Sequence, residues 1–412
     1  MPPSDRNPSM KTEEHEMALA TTTPQTDADP FAADWVADPF PRLAEIREQT
    51  SAMYFKDFDF YMLTRYDDVR RAADDWQTFS SAEGVALTPE INYAIDGSIL
   101  HLDPPEHTAL RDVLGPQLAP RGLRKLNAQI ADYADRLVAE QVAAGEFDAV
   151  HTISRVFPIN VVADLLGLPA EGRNTLQPGA DAMFAAFGPW GDYLISHIQE
   201  MADYQEYLNS MDDRAKFSPD GWGAAIMDAI DDGAVTQLQG LRLINGYLTA
   251  GMDTTVNAIG AMLRLFAERP EVWNALKADP WRAPAVFEET LRWHSPVVGF
   301  WRVATRDVEI GDVTVPAGKQ VMLNFAAANH DPEKFSNPEE FQIERNPLDH
   351  LAFGYGTHGC AGQGLARMEA HTLLKALTEQ IDTIELTGPA AASSNPIVRG
   401  FESVPVRVTP AA

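Results

Sequence analysis

Phe353-Gly354-Tyr355-Gly356-Thr357-His358-Gly359-Cys360-Ala361-Gly362 is the stretch on which the reading of this 412-residue chain turns. It holds the only cysteine and opens directly into a helical pattern, Gln363-Gly364-Leu365-Ala366-Arg367-Met368-Glu369. A lone cysteine cannot close an internal disulfide or build a four-cysteine metal site, so it is an inert core residue, a nucleophile, a redox sensor or an axial ligand. The surrounding glycines let the backbone turn tightly and approach a ligand where side chains would collide. Amides exposed at a helix start favour a thiolate there. An inert cysteine needs none of this. A nucleophile needs a base, for which His358 is the one local candidate, and the sequence identifies neither an orienting partner nor an oxyanion site.

The segment resembles the cysteine-ligand loop of the cytochrome P450 family: phenylalanine, glycine, any residue, glycine, any, histidine or arginine, any, cysteine, any, glycine. It matches at each fixed position. The resemblance implies an iron protoporphyrin, haem b, held by Cys360, with His358 reaching a propionate and Phe353 packing beside the sulfur. A thiolate ligand donates electron density to iron and favours cleavage of a bound O–O bond.

Three further segments extend the resemblance over most of the chain. Tyr247-Leu248-Thr249-Ala250-Gly251-Met252-Asp253-Thr254-Thr255 lies within a long helical pattern from about Gln237 to Ala267 and resembles the family's central helix. The resemblance implies that Asp253 and Thr254 deliver protons to bound dioxygen and that Gly251 opens the helix wall to it. The alternative is a threonine bonded to the carbonyl one turn back in an ordinary helix. Phe287-Glu288-Glu289-Thr290-Leu291-Arg292 sets Glu289 and Arg292 three apart on one helix face, and the family pattern makes Arg345 their third member. His107 and Arg111, one turn apart at a helix start after Pro104-Pro105, join Arg302 and His358 as a cationic clamp for the propionates.

The implied fold is mainly α with a small β region, in one haem domain over residues 34–412. Helical patterning covers Gly122 to Ala144, Thr236 to Ala267 and the segment after Cys360. Strands are expected in Met53 through Thr64 and in a hairpin at Val308-Glu309-Ile310 and Val313-Thr314-Val315. Residues 1–33 are polar without a persistent apolar period, and a disordered tail is expected there. No apolar run or basic leader suggests a membrane anchor or secretory signal, which points to the cytoplasm. The net charge of −28 argues against nucleic-acid binding, which needs a positive footprint.

The implied activity is monooxygenation with dioxygen and two electrons. In soluble bacterial members these come from an iron-sulfur ferredoxin and a flavoprotein reductase using NAD(P)H, with Arg367 and Arg345 as candidates for a basic docking patch. Retention of Asp253 and Thr254 favours this route over a peroxygenase, or over a haem-thiolate sensor or electron carrier. Four segments resemble bacterial P450s that oxidise para-substituted benzoates, and Phe184, Phe187, Val298, Phe300 and Val398 would form a flat aromatic slot. The anion clamp of those relatives departs here: Glu83 stands where they have an arginine, and Thr88, Gly246 and Thr249 where they have serines. A carboxylate facing the entrance would repel benzoate. A small neutral or phenolic aromatic substrate, hydroxylated or O-demethylated, is the expectation, ahead of benzoate and of terpenoid or other apolar compounds.

Overall fold

Neighbouring strands in the main sheet of this chain come from opposite ends of the sequence. The computed structural model describes residues 23–412. Its sheet contains β1 (Gln25–Thr26), β2 (Met53–Phe55), β3 (Phe60–Leu63), β4 (Phe79–Ser80), β5 (Gly299–Ala304) and β6 (Gln320–Asn324), in the order β1-β2-β3-β6-β5-β4. β2 and β3, within the expected strand region, form a hairpin that turns through Asp59 at φ 55°. β3 then pairs in parallel with β6, from Phe60 opposite Gln320 to Leu63 opposite Leu323, and β5 runs antiparallel on the other side of β6. The expected hairpin, Val308–Ile310 with Val313–Val315, turns at Gly311. Residues 1–22 of the expected tail lie outside the described residues. Part of the remainder is built into the sheet, because Gln25–Thr26 pairs in parallel with Tyr54 and Phe55.

The rest is mainly helical, and seven helices position the site: α1 (Glu106–Leu118), α2 (Asn127–Ala144), α3 (Val156–Leu166), α4 (Leu176–Ala185), α5 (Gln237–Glu268), α6 (Ala283–His294) and α7 (Gln363–Gln380). α2 starts later than its apolar pattern suggests. Gly122 belongs to a separate short turn of helix, packed so closely that a Cβ there would lie 2.7 Å from the Pro116 carbonyl oxygen.

α5 is the axle. Its first turn is closed by a capping box: the Gln239 amide donates to Thr236 Oγ1 (3.2 Å) and the Thr236 amide to Gln239 Oε1 (2.9 Å). From Met252 to Phe266 every residue except Thr254 and Arg264 is buried, so the helix is enclosed on all sides as its apolar sequence requires. α3, α4 and α6 pack against it, while α7 packs on α2 and α6.

Adjacent carboxylates on α6 anchor the segments flanking the cysteine loop. Glu289, fully buried, accepts from Arg292 Nε and Nη2 (both 2.8 Å), from Arg345 Nε (3.1 Å) and from the Gln342 amide (2.9 Å). Glu288 accepts from Arg367 Nε (2.6 Å) on α7 and pairs with His350 Nε2 at 3.0 Å. Burial alone would raise the Glu288 carboxyl, but His350 and Arg367 bring it down to about 2.

Two buried histidines set the acid limit of the fold. Burial, reinforced by Arg399, holds His294 down at about 3; burial with Arg292 and Arg399 holds His330 at about 2. The unfolded chain takes up these protons below about pH 6.5 and the native state does not. Stability is therefore full above that pH and falls as pH drops toward 3, by roughly 2 kcal/mol per histidine at pH 5. Urea unfolding should show a lower midpoint at pH 5 than at pH 8. Equal midpoints would mean that these rings protonate within the fold.

Candidate active site

The loop and α5 face each other across a cavity of about 240 Å³. On the loop side, the Cys360 amide donates to the Phe353 carbonyl (2.8 Å), closing the segment on itself. Gly356 sits at φ 66°, and a Cβ there would meet the Ala73 carbonyl oxygen at 2.7 Å, so both its conformation and its surroundings require glycine. The turn delivers Cys360 to the cavity just before α7. Burial raises the thiol pKa, while the amides of Gly362 and Gln363 and the charges of Arg111 and Arg367 oppose that rise. The sulfur is thus placed to become a thiolate once a cation supplies the missing charge.

Phe353 also lines the cavity, with the Arg367 guanidinium 4.7 Å from its ring centroid. Arg367 is held by Glu288 and Arg345 by Glu289, so neither expected docking residue offers a free surface charge.

Four basic side chains reach the cavity from one end: His107 and Arg111 from α1, Arg302 from β5, and His358 from the loop. Strand alternation explains Arg302, because it shares a face with Phe300 while Trp301 points away into the core. Its guanidinium has one hydrogen bond, to the Trp301 carbonyl (2.6 Å), and burial lowers it to about 10. His358 Nε2 lies 3.8 Å from Asp103 and makes no hydrogen bond. The His107 ring, 4.4 Å from that of His358, is held down at about 4 by burial and then by His358 and Arg111. Arg111 donates to the Gly359 carbonyl (2.8 Å).

The α5 side is apolar apart from Thr254, Thr255 and the Tyr247 hydroxyl, the last buried without a partner. Thr254 Oγ1 donates to the Ala250 carbonyl (2.8 Å), the back-bonding that its helical setting predicts. Gly251 lines the cavity too, and a Cβ there would lie 3.2 Å from Val162, so it also lets α3 approach. Asp253 does not reach the cavity. It is fully buried on another side of α5, as a rotation of about 100° per residue requires.

The expected aromatic slot is only partly present. Phe184 and Phe300 line the cavity with Val85 and Val297. Phe187 sits behind Phe300, edge-on at 5.3 Å, and Val298 lies outside the lining. Val398, whose main-chain amide donates to Asn395 Oδ1 (3.1 Å), is also outside the lining. Glu83 is exposed and outside the lining. Thr249 is occupied by Tyr204 (2.7 Å) and Asn245 (2.9 Å), and Thr88 is also outside. The anion clamp is therefore absent among the described residues, and Glu83 is not the group that would repel a carboxylate.

Glu369 is the lining residue that sequence reasoning missed. Both its oxygens are buried without a partner, and burial raises its carboxyl well above the usual range. The signal was present: Glu369 interrupts the i, i+4 row of Leu365 and Leu373 on the buried face of α7.

The family model for cytochrome P450 matches residues 283–382. The chain is 37% identical over 392 residues to cytochrome p450 CYP199A2 of Rhodopseudomonas palustris, covering 94% of this chain and 95% of that protein. It is 30% identical over 406 residues to the cytochrome P450 monooxygenase PikC of Streptomyces venezuelae, covering 95% and 96%. Among solved structures, cytochrome P450 CREJ in complex with (4-ethylphenyl) dihydrogen phosphate superposes with a TM-score of 0.83 at 29% identity, covering 91% of this chain and 98% of that one. The chain belongs to the cytochrome P450 family and is a monooxygenase.

The family implies haem b, and the cavity fits it. Among the described residues no group of three or more metal-ligating side chains converges, so a metal beside Cys360 has to bring most of its ligands, as a macrocycle does. The unsatisfied His358 Nε2 and the nearly unpartnered Arg302 suit its carboxylates.

Proposed function

We propose that this enzyme hydroxylates or O-demethylates a small neutral or phenolic aromatic compound in the cytoplasm. Its electrons come from an iron-sulfur ferredoxin, reduced by a flavoprotein using NAD(P)H. The observation that carries the substrate class is the distribution of charge in the cavity. Every basic residue in the lining lies in the His107, Arg111, Arg302 and His358 group, and the apolar lining of Val85, Phe184, Val297 and Phe300 offers no further cation to a carboxylate.

When bound, the haem supplies reductive activation of dioxygen, with one oxygen atom entering the substrate and the other leaving as water. Cys360 would bind the haem iron through its sulfur, and Phe353 would shield that sulfur from water. His107, Arg111, Arg302 and His358 would hold the propionates. Phe184 and Phe300 orient the aromatic ring and exclude water. Thr254 presents its hydroxyl to the oxygen side and passes on protons supplied through Asp253, while Gly251 leaves space beside it. Hydroxylation of a methoxy carbon would collapse to a phenol and formaldehyde. The bound aromatic phosphate ester of CREJ supports a small aromatic substrate. No helix among the described residues is long and apolar enough to cross a membrane, which is compatible with a cytoplasmic site.

A spectral binding screen tests this reading directly. Matched benzoates, phenols and methoxy or alkyl aromatics are titrated into the haem-loaded enzyme while the loss of iron-bound water is followed. Neutral and phenolic compounds should bind at least about tenfold more tightly than the benzoates, since a desolvated carboxylate without a partner loses more than 1.4 kcal/mol. A response confined to carboxylates would overturn the substrate assignment.

A further inference from the structure

A second cavity of about 240 Å³ shares no lining residue with the first. The two are neighbours through the segment that ends α6: His294 lines the second, while Pro296 and Val297 line the first. Its walls come from the helix Phe40–Gln49, from α5 and α6, and from the hairpin that pairs Ala391–Ala392 with Phe401–Ser403.

Two guanidinium groups enter this cavity over aromatic rings. Arg399 lies 4.4 Å from the Phe40 ring centroid, and Arg264 lies 5.0 Å from that of Phe401. Arg264 is paired with Glu268 (2.8 Å). Arg399 donates a single side-chain hydrogen bond, to the His294 carbonyl. Asp38 and Glu339 act on its charge, and neither forms an ion pair with it. A guanidinium withdrawn from water with most of its fork unused is costly, and an acceptor with two oxygens relieves that cost.

Two histidines line the same cavity, and the hydrogen bonds they make fix which nitrogen faces it with a lone pair. His330 is 2% exposed, its ring centroid 3.7 Å from that of Phe40. Its Nδ1 bonds to the Ala326 carbonyl (3.3 Å), which can only accept, so Nδ1 carries the proton and Nε2 is an acceptor. That Nε2 is buried without a hydrogen-bond partner. His294 gives its Nε2 proton to the Arg399 carbonyl (3.0 Å), which leaves its Nδ1 as an acceptor too. Burial keeps both rings neutral at pH 7. Glu339 is the one acid in the lining; its side chain is 62% exposed, with Oε2 4.0 Å from His330 Nε2.

We propose that this cavity binds a small oxyanion that also carries a hydroxyl, such as hydrogen phosphate or a short hydroxy acid. Arg399 and Arg264 take the charged oxygens, and His330 Nε2 accepts from the hydroxyl. The cations alone would hold any oxyanion of suitable size. The lone pair on His330 supplies the selection, because an oxyanion without a proton sets an oxygen lone pair against it. Ordered water would meet the same donors and acceptor but would leave the Arg399 charge without a counter-ion.

Calorimetric titration of the haem-loaded full chain tests this. Haem stays in place so that the basic group of the first cavity is not the site titrated. Inorganic phosphate should bind saturably and at least about tenfold more tightly than sulfate, which has no proton to donate. Lactate against propionate makes the same comparison for carboxylates, and the tighter of phosphate and lactate identifies the source of the oxyanion. Arg399→Gln should weaken binding at least about tenfold. Because Arg399 also supports the fold, Arg264→Gln, at a side chain 32% exposed, is the companion variant and should weaken binding in the same direction. His330→Phe should still bind both phosphate and sulfate but with affinities within about twofold of each other, a loss of selection that a merely structural role would not produce. The proposal is overturned if neither phosphate nor lactate binds saturably, if Arg264→Gln leaves their affinities unchanged, or if the preference for phosphate over sulfate survives in His330→Phe.

Discussion

Exchanging Cys360 for histidine should abolish the thiolate-type absorption of the reduced, carbon monoxide-bound haem and cut monooxygenation by more than about 100-fold. Even residues that only support a metal ligand commonly cost 10- to 100-fold when removed. Cys360 is the single thiol of the sequence and the loop directs it into the cavity, where the hydrogen bond from its amide to the Phe353 carbonyl fixes the turn whatever side chain follows. Histidine can still bind iron, so haem content should fall less than activity. It does not donate charge as a thiolate does, and that donation favours O–O cleavage. A variant that kept the thiolate spectrum would show that the sulfur of Cys360 is not the ligand.

Glu289→Ala is expected to cost about 3–5 kcal/mol of stability, the penalty for breaking a buried charge network by removing one partner. Arg292 is fully buried, and its remaining bonds run to the carbonyls of Asn329, Pro338 and Glu340. Those carbonyls cannot neutralise it, and Arg345 loses the same carboxylate. A companion Glu289→Gln keeps the shape and one acceptor oxygen and should lose less. Denaturant unfolding of both variants measures the difference. A loss below about 1 kcal/mol for the alanine variant would place Glu289 among ordinary surface-type ion pairs. The haem should dissociate more readily from Glu289→Ala, because the network ties α6 to the segment leading into the cysteine loop.

Much of this architecture is legible in the chain because its strongest signals are local. The run from Phe353 to Gly362 specifies a turn, a sulfur and a helix start within ten positions, and the apolar pattern before Ala267 specifies an enclosed helix. His107, Arg111, Arg302, His358, Gly251 and Thr254 all line one cavity. What escaped depends on which face meets which. Phe187 and Val398 are as apolar as Phe184 and Phe300, and only the path of the chain decides that they stand behind the wall. Glu83 looks like a gate in the sequence and lies outside. Glu369 was legible in principle, as the one acid in an apolar helical row.

The pairing of β3 with β6 also bears on how the protein is made. Met62 and Asn324, in contact across that pair, are 262 positions apart. During synthesis the early hairpin waits with an unpaired edge until most of the chain has left the ribosome, and contacts of such long sequence separation form slowly. Arg302 and Phe300 sit on β5, the strand held in place by β6. The cavity thus acquires its wall, and with it the capacity to retain a cofactor, only near the end of translation. Exposure of that strand edge before then is the stage at which misassembly competes with folding.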